Sequence, residues 1–190
     1  LAHVEDPGDD RLFLGVAARG VGTGRFAPWG AVLFALCALC HVIPMFFAVK
    51  ASDAAVKTGG RSFPMGPYDA LYVPRDSVVE VCPGPEGCDL AEVAAPVEKT
   101  YPLQFVAWAD VQKDPGLHFK AGAPPTERML NILIGKNVEA GRIVAGVTFP
   151  APGNWMSWPP HEHSAMLEEA YLYIDMPAPS FGIQLVYTDP

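Results

Sequence analysis

Positive charge is scarce in this sequence. The 190 residues include 13 lysines and arginines against 21 aspartates and glutamates, which gives a formal net charge of −8. No basic cluster is present that would neutralise phosphates, so nucleic acid is excluded as the expected partner. The chain also opens without the basic, apolar and small-residue regions of a secretory signal, and we expect no such leader.

The sequence also lacks long segments without glycine or proline, which long helices require. The 18 glycines and 20 prolines are spread along the chain, where they break helices and favour short strands joined by tight turns. The spacing of these strands predicts an antiparallel barrel or sandwich. The strand candidates are Ala70 to Val73, Ser77 to Cys82, Leu103 to Trp108, Asn131 to Ile134, Arg142 to Phe149, Glu169 to Ile174 and Gly182 to Tyr187.

Cysteines number only 4. Cys37 and Cys40 stand in apolar surroundings, which favours buried, inert thiols over a redox or zinc motif. Cys82 and Cys88 flank a turn and would pair only under oxidising conditions, so in a cytoplasmic protein we expect both to stay reduced.

One apolar run, residues 26–49, carries no formal charge. Its length would allow a membrane span, but Pro28, Pro44 and His41 interrupt it, and basic residues flank both of its ends. We therefore favour a buried strand pair or a core helix. A membrane span and a frameshifted or chimeric stretch are the alternatives.

Two histidines one residue apart mark the stretch that carries the chemistry. Pro159 and Pro160 keep the chain extended as it enters His161. Residues i and i+2 of an extended segment point to the same side, so His161 and His163 can offer both imidazoles to one ion. The alternative is a pair of solvated loop histidines.

A carboxylate follows at the start of an aromatic strand. Alternation places Glu169 with Tyr171 and Tyr173 on one face, and Glu168 with the apolar residues on the other. Because tyrosines with a carboxylate suit a polar cavity, we favour Glu169 as the third ligand. Two histidines and a carboxylate form a site for a divalent metal such as Zn, Mn, Fe or Ni.

Three blocks of sequence, in this order, resemble the 5-deoxy-glucuronate isomerase family of bacterial inositol catabolism. They are PGNWMSWPPHEH at 152–163, LEEAYLY at 167–173 and FGIQLVYTD at 181–189. That family belongs to the cupins and is related to the 5-keto-4-deoxyuronate isomerases of pectin breakdown. The resemblance extends from about Phe63 to Asp189.

The resemblance implies an all-β fold of two cupin-type halves, each an antiparallel β-barrel or jelly roll. We expect residues 1–109 to form the N-terminal half, 110–128 a linker and 129–190 the start of the second, metal-binding half. In that family two histidines, a glutamate and one further histidine hold the metal. The first three correspond to His161, His163 and Glu169, and the last has no counterpart in this sequence. The chain is accordingly expected to be a piece of a longer protein.

The resemblance also implies an activity, the conversion of 5-deoxy-glucuronate to 5-dehydro-2-deoxy-gluconate. This aldose–ketose isomerisation moves a proton between C1 and C2, and a divalent metal, with zinc and manganese favoured, acts as a Lewis acid. An arginine presents a bidentate fork to a uronate carboxylate. The expected site residues, besides the metal ligands, are Tyr171, Tyr173, Gln184 and Tyr187 for catalysis and Arg128, Arg142 and Trp155 for substrate binding.

Other functions remain open from the sequence. These are a 5-keto-4-deoxyuronate isomerase, a non-catalytic cupin fragment that binds a sugar acid or a metal, and a metal-dependent dioxygenase. The expected partner is a small sugar acid in the cytoplasm, without a membrane, and a homo-oligomer is left open.

Overall fold

Short strands dominate the structure. The computed structural model describes residues 12–18, 42–51, 54–85, 87–161, 169–174, 178–179 and 181–187. The described elements are β1 (Leu12–Ala18), β2 (Val42–Ala51), β3 (Ala54–Thr58), β4 (Arg61–Met65), β5 (Ala70–Tyr72), β6 (Val79–Cys82), β7 (Cys88–Pro96), β8 (Gln104–Val106), α1 (Trp108–Val111), β9 (His118–Ala121), β10 (Arg128–Ile134), β11 (Ile143–Pro150) and β12 (Glu169–Tyr173).

The strands form three sheets. A five-stranded sheet has the order β12-β1-β11-β10-β9, a four-stranded sheet β7-β2-β5-β8, and a three-stranded sheet β4-β3-β6. Neighbours are antiparallel, except that β1 runs parallel to both β11 and β12. The predicted all-β, mainly antiparallel fold is confirmed. Within the described part of the chain the sheets are open, and none closes into a barrel.

The core has two parts, one on each side of the four-stranded sheet. Ala70 and Tyr72 of β5 belong to a cluster with Ile143 and Val147 of the five-stranded sheet. Leu71, the residue between them, belongs to a second cluster built with the three-stranded sheet. Because successive side chains of a strand point to opposite faces, β5 is buried on both sides, and all three of its residues have 0% exposure. The three sheets are therefore stacked as layers.

The end of the apolar run forms a strand. β2 pairs with β5 and β7, so residues 42–49 of the run lie in a strand of the four-stranded sheet and not in a helix. Residues 26–41 lie outside the described ranges. No helix among the described residues has the length and apolar character that crossing a membrane requires.

Three details depart from the sequence predictions. The predicted strand Gly182 to Tyr187 is wrong, because this segment has no strand conformation and pairs with no described strand. The segment interpreted as a linker, residues 110–128, contains β9. The hairpin of β3 and β4 was not predicted, although Gly59 and Gly60 at its turn, both with positive φ, are a typical two-residue hairpin signal.

Cys82 and Cys88 are free thiols in the structure. Burial raises the pKa of the Cys88 thiol, which disfavours the reactive thiolate. Cys37 and Cys40 lie outside the described residues.

Candidate functional site

The loop between β11 and β12 begins on the neighbouring hairpin. The Trp155 amide donates to the Pro125 carbonyl at 2.8 Å, and the Ala151 amide donates to the Glu127 carbonyl at 3.0 Å. Asn154 adds a side-chain contact, since its Oδ1 accepts from the Glu127 amide at 2.8 Å. The first part of the loop is thus fixed to the turn between β9 and β10.

A chain of hydrogen bonds connects this loop to the predicted metal ligand. The Ser157 and Tyr171 hydroxyls are 3.2 Å apart, and the Tyr171 hydroxyl donates to Oε1 of Glu169. Ser157 has a φ of 53°, a conformation that costs a non-glycine residue free energy and that is often found at functional sites. The Glu169 carboxylate is therefore held by the Tyr171 hydroxyl, which is itself in contact with Ser157.

Burial, and secondarily the hydrogen bond to Glu169, raises the pKa of Tyr171. The phenol consequently stays protonated at neutral pH. It can donate a hydrogen bond to the carboxylate, and it is poorly suited to accept a proton as a general base.

His161 is exposed and its ring is oriented by the backbone. Its Nδ1 lies 2.7 Å from the Pro159 carbonyl, an acceptor, so Nδ1 carries the hydrogen of this bond. In the neutral imidazole Nε2 then bears the lone pair. A hydrogen bond from one ring nitrogen to a backbone carbonyl is the usual way in which a metal-ligating histidine is oriented.

The chemistry of these side chains suits a divalent cation. His161 supplies an imidazole of suitable tautomer, and Glu169 supplies a carboxylate that is itself hydrogen-bonded, as ligating carboxylates commonly are. The second imidazole, His163, lies outside the described residues, as does Glu168. Among the residues that the structure describes, no three His, Cys, Asp or Glu side chains come together as a metal site.

The other predicted site residues are dispersed. Tyr173 lies on β12 with Glu169 and Tyr171, whereas Gln184 and Tyr187 are exposed in the irregular segment 181–187. Trp155 is half exposed on the loop, Arg142 immediately precedes β11, and Arg128 is buried at the start of β10. Glu169 and Tyr171 are brought together by a direct hydrogen bond.

Sequence reasoning missed Ser157, whose hydroxyl reaches Tyr171. Its position within the block at 152–163, four residues ahead of His161, was the available signal. His118, which is not a predicted ligand, is part of a structural contact: its Nδ1 is 2.7 Å from Oδ1 of Asn131.

Comparison with known proteins gives a consistent result. The KduI/IolB family matches this chain over residues 46–190. The 5-deoxy-glucuronate isomerase of Geobacillus thermodenitrificans is 32% identical over 130 residues, which cover 65% of this chain and 45% of that protein. The 4-deoxy-L-threo-5-hexosulose-uronate ketol-isomerase of Opitutus terrae is 35% identical over 131 residues, 66% of this chain and 45% of that protein.

A solved structure is similar in fold. It is that of an IolB-like protein from Salmonella typhimurium LT2, with a TM-score of 0.57 and 20% identity over 70% of this chain and 52% of that chain. The chain spans about half the length of the curated relatives it matches. Since the family match covers most of its residues, the chain belongs to the KduI/IolB family.

Proposed function

We propose that this chain is part of a metal-dependent aldose–ketose isomerase that acts on a deoxy-uronate sugar, with 5-deoxy-glucuronate as substrate. The observation that carries the proposal is the Glu169 carboxylate, held by the Tyr171 hydroxyl at the start of the strand that follows the two histidines. The similarity to named 5-deoxy-glucuronate isomerases supports the choice of substrate.

His161, His163 and Glu169 would hold the cation in this proposal. When bound, a divalent metal supplies Lewis-acid stabilisation of the negative charge that develops on a substrate oxygen during proton transfer between C1 and C2. Zinc and manganese are the proposed ions, because both accept imidazole and carboxylate ligands.

The protein residues then have separate tasks. Tyr171 is a positioning residue, because its hydroxyl fixes the Glu169 carboxylate and its raised pKa keeps it a donor. Tyr173, on the same face of β12, is the proposed contact to the sugar. Catalytic roles for Gln184 and Tyr187 stay predictions, as do sugar-binding roles for Trp155, Arg128 and Arg142. The cytoplasmic location, the homo-oligomer and the division at 110–128 also stay predictions.

The ketol-isomerase of Opitutus terrae supports a second candidate. Its similarity to this chain is as high as that of the 5-deoxy-glucuronate isomerases, so 4-deoxy-5-keto-uronate is the alternative substrate. Both reactions exchange a carbonyl and a hydroxyl on neighbouring carbons and would use the same ligands.

The test is to load the protein with Zn²⁺ or Mn²⁺ and then to monitor the conversion of each sugar by NMR. We expect conversion of 5-deoxy-glucuronate by the wild type, a loss of at least about a hundredfold in His161→Ala because a ligand is removed, and full activity in His118→Gln. Conversion of 4-deoxy-5-keto-uronate alone would select the second candidate. Metal-loaded protein that converts neither sugar would contradict the isomerase proposal for this chain.

A further inference from the structure

Ser157 stands at a position where the backbone alone would favour glycine. Its φ of 53° lies in the left-handed region, which costs free energy to a residue with a Cβ and which glycine adopts without steric cost. The residue is half-buried in the loop between β11 and β12. A serine at this place is therefore better explained by its hydroxyl than by its backbone.

The loop is anchored just ahead of Ser157. The Trp155 amide donates to the Pro125 carbonyl at 2.8 Å, and Oδ1 of Asn154 accepts from the Glu127 amide at 2.8 Å. Both bonds join the loop to the turn between β9 and β10. Ser157 thus follows, by two residues, a part of the loop that the neighbouring hairpin holds in place.

The direction of the hydrogen bonds beyond Ser157 follows from the number of available protons. Tyr171 has a single hydroxyl hydrogen, and it donates this hydrogen to Oε1 of Glu169. In the contact between Ser157 Oγ and the Tyr171 hydroxyl, which is 3.2 Å long, Ser157 is therefore the donor. The order is Ser157 to Tyr171 to Glu169, and the carboxylate is the final acceptor.

This order allows Ser157 to act on Glu169 without contacting it. A phenol oxygen that accepts a hydrogen bond has a more polarised O–H bond and becomes a stronger donor. The donor from Ser157 also restrains the rotation of the phenol hydrogen, because it occupies one side of the Tyr171 oxygen and leaves the other to that hydrogen. Ser157 thus strengthens and orients the bond that holds the Glu169 carboxylate.

We propose that Ser157 is a positioning residue for Glu169, the predicted metal ligand, and that it acts through the Tyr171 hydroxyl. The metal in this role comes from the proposed function, whereas the order of the hydrogen bonds rests on the contacts around Ser157. Groups that hold a metal ligand from behind commonly change the metal affinity by about tenfold or more when they are removed.

The experiment measures the zinc affinity of the full chain by competition with a chromophoric chelator. Ser157→Ala and Ser157→Gly both remove the hydroxyl, and each should weaken zinc binding by about threefold to tenfold, because one hydrogen bond is lost. The glycine variant should resist urea better than the alanine variant, since glycine adopts a positive φ without strain. We therefore expect equal losses of affinity in two variants of unequal stability.

Tyr171→Phe tests the route of the effect. It removes the phenol oxygen and should weaken zinc binding at least about tenfold. In this background Ser157→Gly should change the affinity by less than about twofold, because the acceptor of the serine is already gone. The matched control is Asp76→Gly. Asp76 also has a positive φ, 61°, but it lies between β5 and β6, and its replacement should leave the zinc affinity within about twofold. Circular dichroism checks that every variant is folded.

Wild-type zinc affinity in both Ser157 variants would overturn the positioning role. A loss confined to one of the two would overturn it as well, because the hydroxyl would then not be the cause. So would a Tyr171→Phe variant with wild-type affinity, or a Ser157→Gly effect that persists undiminished in the Tyr171→Phe background. In each of these outcomes the wild type binds zinc and the proposed metal site stands. A wild type without bound zinc contradicts the metal site itself and the role of Ser157 with it, so the two failures are distinguishable.

Discussion

At the scale of single residues, Tyr72 shows what burial does to a polar group. It has 0% exposure and packs edge-on against Tyr101, with ring centroids 6.5 Å apart. Burial raises the pKa of its hydroxyl to about 12, and the nearby backbone of Gly141 offsets only part of that rise. No hydrogen bond of ordinary length and angle forms with the described atoms. Burial of the hydroxyl is therefore unfavourable, and the packing of the aromatic ring more than compensates for it.

Tyr72→Phe should therefore leave stability at pH 7 within about 1 kcal/mol of the wild type. In alkaline solution the two proteins should differ. In the unfolded chain the tyrosine ionises near the ordinary tyrosine pKa of 10.0, whereas the folded protein keeps the pKa of this hydroxyl at about 12. The difference in pKa therefore leaves the free energy of unfolding unaffected below pH 10 and lowers it as the pH rises from 10 toward 12.

Urea unfolding at pH 9 and pH 11 measures this effect. The wild type should lose about 1 kcal/mol more than Tyr72→Phe over that interval. Identical losses in the two proteins would show that the Tyr72 hydroxyl ionises as freely in the folded state as in the unfolded one.

At the scale of elements, a buried asparagine joins the segment of α1 and β9 to the five-stranded sheet. Oδ1 of Asn131 accepts from Nε2 of Gln112 at 2.8 Å and from Nδ1 of His118 at 2.7 Å. Its Nδ2 donates to the Val147 carbonyl at 2.9 Å. One side chain on β10 thus connects β9, β11 and the residue that follows α1.

Asn131→Ala should lower the free energy of unfolding by about 2–3 kcal/mol, because three hydrogen bonds are lost and buried polar groups are left unpaired. Gln112→Ala is the control and should cost less than about 1 kcal/mol, since it removes one bond at a partly exposed position. Chemical denaturation of both variants gives the comparison. Equal costs would mean that Asn131 acts through its bond to Gln112 alone.

The elements also show what the sequence could and could not predict. The strand at Glu169 was predicted from alternation, and that prediction is confirmed by β12. The strand predicted at Gly182 to Tyr187 is wrong, because a strand needs a hydrogen-bonding neighbour and this segment has none among the described residues. Its apolar side chains remain exposed, with Val186 at 86%. β9 was missed because the prolines and glycines after it suggested a linker.

At the scale of the whole molecule, the all-β, mainly antiparallel fold and the family were predictable, whereas the stacking of the sheets was not. Local patterns give the faces of strands, but they do not indicate that β5 is buried between two sheets. The sequence predicted which residues belong to the site better than it predicted the contacts between them. Glu169 and Tyr171 were both named, but the contact of the Ser157 hydroxyl and the burial of Arg128 depend on loop and hairpin geometry that no short pattern encodes.

The central claim is that His161, His163 and Glu169 bind one divalent metal, and elemental analysis of metal per chain tests it most directly. The wild type, purified and then dialysed against Zn²⁺ or Mn²⁺, should retain about one equivalent, and the double variant His161→Ala/His163→Ala should retain essentially none, because the imidazole ligands are gone. A wild type without bound metal, or a double variant that binds as much as the wild type, would contradict the account.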